Sequence, residues 1–207
     1  LTPIFHESLR DKVYGQSIPV IFINIGGITN VTCFHSVNKL VKPMFASDIG
    51  PGNCLIDEWV RKNSKAKYDE SGLIAKSGKI NELILNQALD NFGGTLNSSL
   101  DIKDFDISFV RGLCLEDGAS TITNFTAEII TSNLKKLLDK NQYDSGDNYF
   151  PNFIICGGGR KNKYLMDLLS KSILEKIGYK KFQLIDEHNI DGDFIESQAF
   201  AFLAIRS

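Results

Sequence analysis

At 207 residues, with 43% hydrophobic and 23% charged residues, the chain has the composition of a globular protein long enough for one large core or two small ones. A formal net charge of −2 and a pI near 5.9 give no electrostatic footing for nucleic-acid binding. No apolar run is long enough to cross a bilayer, and no basic-then-apolar leader opens the chain, so neither nucleic acid nor membrane is an expected partner.

In chain order, Val20 to Ile25 is an apolar run interrupted only by Asn24 and predicts a buried strand, joined by a Gly26-Gly27 turn to a second strand over Asn30 to Phe34. Residues 39–48 predict a third strand, which Pro43 places near an edge or a bulge. Leu55, Ile56, Trp59 and Val60 share one face of a helix; Ile80, Leu83, Ile84, Ala88 and Leu89 share one face of another that ends near Phe92. Residues 93–104 carry turn formers and predict a loop. The clearest helix follows Asp117, where Ile122, Phe125, Ile129, Ile130, Leu134, Leu137 and Leu138 recur at spacings of three and four. Ser120, Thr121, Thr123 and Thr126 read as the polar face and start of that helix.

Residues 141–151 predict a polar surface connector. A strand over Phe153 to Cys156 follows, then a helix with Leu165, Leu168, Leu169 and Ile173 inward and Gly178 as its C-cap. Phe182 to Ile185 predict a further strand, and Ile195 to Ile205 a closing helix. Strands alternate with helices after an early hairpin, so the fold class is α/β with a mixed sheet flanked by helices. The four cysteines form no Cys-x-x-Cys pair, and Cys33 and Cys156 fall in predicted strands. Buried free thiols suit a reducing cytoplasm. The three histidines are scattered and give no zinc spacing.

Chemistry concentrates in three glycine clusters, each placed after a short apolar run: Ile25-Gly26-Gly27-Ile28, Asp48-Ile49-Gly50-Pro51-Gly52-Asn53 and Gly157-Gly158-Gly159-Arg160-Lys161-Asn162. Glycine lets a backbone approach an anion closely and aim N–H groups at it, which is how many α/β proteins hold phosphates. Each cluster has a plainer reading beside this one. Gly26-Gly27 also fits a simple hairpin turn. Asp48 suits a Mg²⁺ ion beside phosphate, reached directly or through water, but equally suits a turn whose N–H groups it accepts. Asn53 stands where it could cap the following helix, and Asp57 points in a similar direction. Gly157 to Gly159 fit either a bare backbone under a flat nucleoside or a structural turn. Glu196 is either a first-turn partner of the helix dipole or a ligand contact. There is no Walker-type Gly-Lys-Ser/Thr loop and no Gly-x-Ser-x-Gly elbow.

Taken in order, Asn24 to Asn30, Asp48 to Asn53, Thr121 to Ala127, Gly157 to Asn162 and Glu196 to Ala204 resemble the anhydro-N-acetylmuramic acid kinase family, as does the opening Leu1 to His6. The resemblance spans nearly the whole chain. It implies a ribonuclease-H-like, actin-like ATPase lobe of the sugar kinase/Hsp70/actin superfamily. It also implies ATP and Mg²⁺ as cofactors and an amino sugar as substrate: 1,6-anhydro-N-acetylmuramic acid, phosphorylated on its 6-hydroxyl while water opens the anhydro ring, in peptidoglycan recycling. By resemblance Gly26 and Gly27 form the second phosphate loop. Asp48, Gly50, Gly52 and Asn53 belong to the nucleotide–metal cleft, Gly157, Gly158, Gly159 and Asn162 to the adenosine motif, and Glu196 to the sugar side.

The departures from the family carry expectations too. The family's first phosphate loop and general-base Asp have no counterpart in residues 1–207, so the chain reads as the C-terminal nucleotide-binding lobe of a two-lobe kinase. It begins with Leu1 and stops short of the family's tail, and is not expected to be a complete translation product. The family's Pro-Pro-Lys-Ser loop corresponds to Leu96-Asn97-Ser98-Ser99, without the basic side chain. Lacking the base, such a lobe is expected to be inactive or nearly so, general-base catalysis typically supplying about 10²–10⁴-fold. A non-catalytic nucleotide-binding remnant is the alternative, and an Hsp70- or actin-like ATPase without sugar substrate a third reading. A lobe built to pack on another should expose an apolar patch, which points to assembly, a homodimer included.

Overall fold

The computed structural model describes residues 2–15, 18–34, 36–37, 40–41, 45–93, 99–140, 150–179 and 182–206. Helix α1 (Thr2–Val13) precedes β1 (Val20–Ile25) and β2 (Ile28–Phe34), then a two-residue ladder of β3 (Ser36–Val37) with β4 (Leu40–Val41), and β5 (Phe45–Pro51). Helices α2 (Cys54–Asn63), α3 (Leu73–Ser77) and α4 (Glu82–Asn91) lead to the 26-residue α5 (Leu115–Lys140). Then come β6 (Asn152–Cys156), α6 (Lys163–Ile177), β7 (Phe182–Leu184) and α7 (Ile195–Arg206).

The main sheet has the order β5-β2-β1-β6-β7. Strand β2 runs antiparallel to both neighbours, whereas β1, β6 and β7 are parallel. A five-stranded sheet whose second strand alone is reversed, with helices on both faces, is the ribonuclease-H-like arrangement the sequence led us to expect.

Central strand β1 shows why the run Val20 to Ile25 is apolar but for Asn24: both of its faces are covered, and Asn24 itself is buried. Ile21, Ile23 and Ile25 meet α5 and α6 through Ile130, Leu134, Leu165 and Leu169. Val20 and Phe22 point the other way, onto Phe5 and Leu9 of α1 and Ile195 and Ala199 of α7. A third cluster lies behind α5, where Ile122, Phe125 and Ile129 pack against Leu55, Ile56 and Trp59 of α2 and Leu85 of α4.

Several expectations are corrected. The third strand covers Phe45–Pro51 rather than 39–48, and residues 42–44, Pro43 among them, lie outside the described residues. It continues past Asp48 because a bulge absorbs Ile49: Asn30 pairs with Asp48 and Thr29 with Gly50. The bulge carbonyl of Ile49 accepts the Asn133 Nδ2–H at 2.9 Å, so it is not left unsatisfied in the interior. The second strand starts two residues early, at Ile28. Leu83 does not face inward; it is 84% exposed, and Leu85 is the buried residue of α4. Ile102–Asp104 is a short 3₁₀ turn within the expected loop, and 94–98 lie outside the described residues, as do 141–149 of the connector.

The largest correction concerns Ser120, Thr121, Thr123 and Thr126, which are fully buried rather than a polar face. Thr121 and Thr123 donate to the carbonyls of Asp117 and Ala119 four residues back, both at 2.8 Å, so their hydroxyls are satisfied locally. That frees this stretch of α5 to sit between the sheet and α2.

Candidate functional site

The site is built at the carboxyl ends of β1 and β6. These strands are adjacent and parallel, but the chain leaves β1 toward β2 on one side and β6 toward β7 on the other. Such a topological switch point opens a crevice in which α/β sheets characteristically bind ligands. Here the crevice is a cleft of about 310 Å³. On one wall stand Asn53 and Asp57, one turn apart at the start of α2; on the floor are Gly158 and Asn162. Tyr68, Asp69 and Ser71, from the segment after α2, and Lys161 complete the lining.

Helix α2 is fixed by Trp59. Its Nε1–H donates to the Leu115 carbonyl at 2.9 Å, and its ring lies against Gly118, where an added Cβ would come within 2.3 Å of the ring. The N-terminus of α2 is seated on the β1–β2 hairpin: Gly52 N–H donates to Gly27 O at 2.9 Å, Asn53 N–H to Gly26 O at 2.8 Å and Cys54 N–H to Gly27 O at 3.2 Å. These amides therefore point at protein carbonyls and not at an anion. Gly52 is required by this contact, since a Cβ there would lie 2.2 Å from Gly26 O. Asn53 forms no side-chain cap, contrary to expectation. Its side chain is turned to the cleft instead, its Nδ2 lying 3.9 Å from the position of a Cβ on Gly158.

The glycines after β6 divide in the same way. Gly157 has φ +82°, and a Cβ there would meet Asn24 Oδ1 at 2.4 Å; a Cβ on Gly159 would meet Ile25 at 2.2 Å. Both are glycine because the turn is pressed onto the end of β1. Gly158 has no such neighbour and is the one that presents bare backbone to the cleft. Asn162 accepts the Leu165 N–H at 3.0 Å and so caps α6 while lining the floor. Arg160 turns away from the cleft. It pairs with Asp186 through Nε at 2.6 Å and Nη2 at 3.0 Å, and its Nη1 reaches Asp193 at 2.9 Å and Gly157 O at 3.0 Å. The guanidinium holds the Asp186 carboxyl down to about 2 and ties the glycine turn to the segment before α7.

A second locale lies beside the hairpin. Gly27 is exposed there, and Ile102 packs near it, 3.8 Å from the position of a Cβ. Asp48 accepts the Leu100 N–H through Oδ2 at 2.9 Å, the turn-binding behaviour weighed from sequence. Its other oxygen makes no hydrogen bond among the described residues. Gly50, at φ +152°, is pressed on α5, where a Cβ would meet Ile129 at 2.6 Å. Among the described residues no three His, Cys, Asp or Glu side chains are grouped so as to hold a metal ion by themselves. Glu196 lies on α7, and its side chain is outside the described residues.

The cleft thus joins Asn53, Gly158 and Asn162 from the predicted set, and leaves Gly26, Gly27 and Asp48 at the neighbouring hairpin. Tyr68, Asp69 and Ser71 were missed. The signal for them was the Asp69-Glu70-Ser71-Gly72 turn, in which Ser71 and Gly72 both take positive φ, 55° and 72°. Asp69 accepts the Ile74 and Ala75 amides at 2.8 and 2.9 Å, one on each carboxylate oxygen, and so is tied to the start of α3.

A reversed-second-strand α/β sheet with a polar cleft at its switch point belongs to the ribonuclease-H-like class of fold. Among solved structures it is similar to the ethanolamine utilization protein EutJ from Carboxydothermus hydrogenoformans, 16% identical with a TM-score of 0.42 over 92% of this chain and 50% of that one. It is also similar to the activator of the 2-hydroxyisocaproyl-CoA dehydratase from Clostridium difficile with bound ADPNP, 11% identical with a TM-score of 0.43 over 92% of this chain and 60% of that one. Sequence comparison narrows the class. The model of the anhydro-N-acetylmuramic acid kinase family matches residues 1–207, and the chain belongs to that family. It is 48% identical over 210 residues to the anhydro-N-acetylmuramic acid kinase of Pelagibacter ubique, covering 100% of this chain and 53% of that protein. With the Zymomonas mobilis protein of the same name it shares 34% over 212 residues, covering 52% of it. The chain spans about half the length of the curated relatives it matches. No helix among the described residues is long and apolar enough to cross a membrane.

Proposed function

We propose that the chain is the C-terminal, nucleotide-binding lobe of a kinase that converts 1,6-anhydro-N-acetylmuramic acid to N-acetylmuramic acid 6-phosphate, with ATP as donor and Mg²⁺ as its counter-ion, in the cytoplasm. The observation that carries this is the convergence of Asn53, Gly158 and Asn162 on one cleft at the switch point, in a chain matched over its whole length by the family model. The cleft fits a nucleoside: a glycine backbone forms a flat floor beside an amide side chain, in a volume at the lower end of small-molecule sites, about 300–1,000 Å³.

When bound, ATP supplies the phosphoryl group. The chain's own part is to hold the nucleoside end on Gly158 and Asn162 and to direct the phosphates toward the exposed Gly26-Gly27 turn. The Asp48 oxygen that makes no hydrogen bond among the described residues would accept from metal-bound waters, which suits Mg²⁺, an ion that usually keeps several of them. Glu196 is assigned to the sugar side by resemblance. The general base that takes a proton from the ring-opening water comes from outside these 207 residues, as does the first phosphate loop. Residues 1–207 alone are therefore expected to bind nucleotide without turning sugar over.

The reading is tested by incubating the full-length gene product with ATP, Mg²⁺ and the anhydro sugar, and assaying for the 6-phosphate by mass spectrometry. Absence of sugar-dependent phosphate transfer in that protein sinks the enzymatic reading. ATP turnover indifferent to the sugar would instead favour an actin-like ATPase.

A further inference from the structure

We propose that the Asp57 carboxylate accepts the vicinal ribose hydroxyls of the nucleotide in the cleft; this deepens the nucleotide reading above and rests on it. The cleft's polar groups narrow the choice. Both Asp69 oxygens are occupied by the Ile74 and Ala75 amides, and Asn162 Oδ1 by the Leu165 amide. Lys161, at the cleft's other margin, is paired with Asp193. Asp57 is left as the one acidic side chain lining the cleft with a carboxylate that makes no hydrogen bond among the described residues.

The charge balance decides what Asp57 can face. Asp57 and Asp69 both line the cleft, near enough for their charges to repel, and Lys161, the one cation among the described residues of its lining, is already paired. Phosphate is repelled from that end, and a neutral group rich in donors is favoured. A vicinal diol offers two O–H donors to the two oxygens of one carboxylate, and hydrogen bonds to an ionised acceptor are the stronger kind. Asp57 is half-buried, and this desolvation raises its carboxyl above the ordinary range, with Arg61 on the next turn pulling it down and Asp69 pushing it up. A carboxylate in that position gains from a ligand that replaces its lost water. One turn back on the same helix, Asn53 faces Gly158 across the cleft, so a nucleoside with its ring over Gly158 brings its sugar toward α2.

The test is a binding cycle by calorimetry on the full-length gene product, using ATP, 2′-deoxy-ATP and inosine triphosphate against the unsubstituted protein, Asp57→Ala and Asp57→Asn, with circular dichroism to establish that each is folded. The unsubstituted protein should bind ATP about tenfold or more tightly than 2′-deoxy-ATP, and Asp57→Ala should bind the two alike, the loss falling on ATP. Asp57→Asn, which keeps one acceptor oxygen, should fall between. An undiminished preference for ATP over 2′-deoxy-ATP in both variants overturns the assignment. So does a change confined to discrimination between ATP and inosine triphosphate, which would mean that Asp57 reads the base. If the unsubstituted protein binds no ATP, the nucleotide reading itself fails, and that result is distinct from the other two.

Discussion

Replacing Gly52 by alanine is expected to unseat α2 from the β1–β2 hairpin. The new Cβ would lie 2.2 Å from Gly26 O and 3.2 Å from Gly27 O, both backbone atoms that no rotamer change can move. The first contact is roughly 1 Å shorter than a comfortable carbon–oxygen approach of about 3.3 Å. Relief requires the turn and the helix start to separate, and the three hydrogen bonds from Gly52, Asn53 and Cys54 span that gap. At about 1 kcal/mol net for each bond, with a further cost for any amide left buried and unpaired, the loss is about 2–4 kcal/mol. That is a large part of the roughly 5–15 kcal/mol typical of a folded domain. Urea unfolding followed by the fluorescence of Trp59, the single tryptophan and itself on α2, reads this directly. A midpoint shift equivalent to less than about 0.5 kcal/mol, the usual scale of harmless surface changes, would refute the argument.

The glycines after β6 should separate stability from binding. Gly157→Ala should destabilise by about 1–3 kcal/mol, because of its positive φ and the contact with Asn24. Gly158→Ala should leave the urea midpoint unchanged and weaken nucleotide binding, and equal loss of stability in both would contradict the division of roles. His6 is buried, shares a 2.9 Å hydrogen bond with Thr32 through Nδ1, and is held by burial at a pKa of about 4 against an ordinary 6.5. The folded state therefore binds fewer protons than the unfolded one between these values. Stability is whole above pH 6.5 and falls as the pH drops toward 4, by about 2 kcal/mol between pH 7 and 5. His6→Phe should flatten that slope in urea titrations, and an unchanged slope would be the adverse result. Arg160→Met should cost about 1–2 kcal/mol, mostly through the lost bond to Gly157 O, since Asp186 and Asp193 are nearly half exposed and their ion pairs are screened. Asp186, depressed to about 2 from 3.8, contributes stability that is present above about pH 4 and lost as the pH falls through 2, so the variant should lose that limb of the acid-unfolding curve.

Much of the fold was legible because burial on both faces writes itself into composition. The runs Val20 to Ile25, Asn24 apart, and Phe153 to Cys156 are apolar without alternation, and both became interior strands of the sheet. The seven apolar positions of α5 named from periodicity are all buried, and Gly178 ends α6 in the left-handed conformation. The close backbone approaches around the candidate site were legible as glycine clusters at strand ends, since only glycine tolerates backbone brought so close. What each glycine approaches could not be read locally. Gly52, Gly157 and Gly159 face other segments of the same protein, and of the three glycines of the third cluster Gly158 is the one that faces the cleft.

Sequence by itself determined the alternation of strands and helices, the family and the places where backbones pass closely, because these depend on local burial, local conformational freedom and ordered motifs. Tertiary structure decided the rest. It carried β5 through its glycine cluster on a bulge supported by Asn133, and sank the hydroxyls of Ser120 to Thr126 between two layers by bonding Thr121 and Thr123 to their own helix. It also turned Asn53 from a helix cap into a cleft wall. The reason is the same in each case: whether a polar group meets protein, water or ligand depends on segments distant in sequence, which come together only once the sheet has closed.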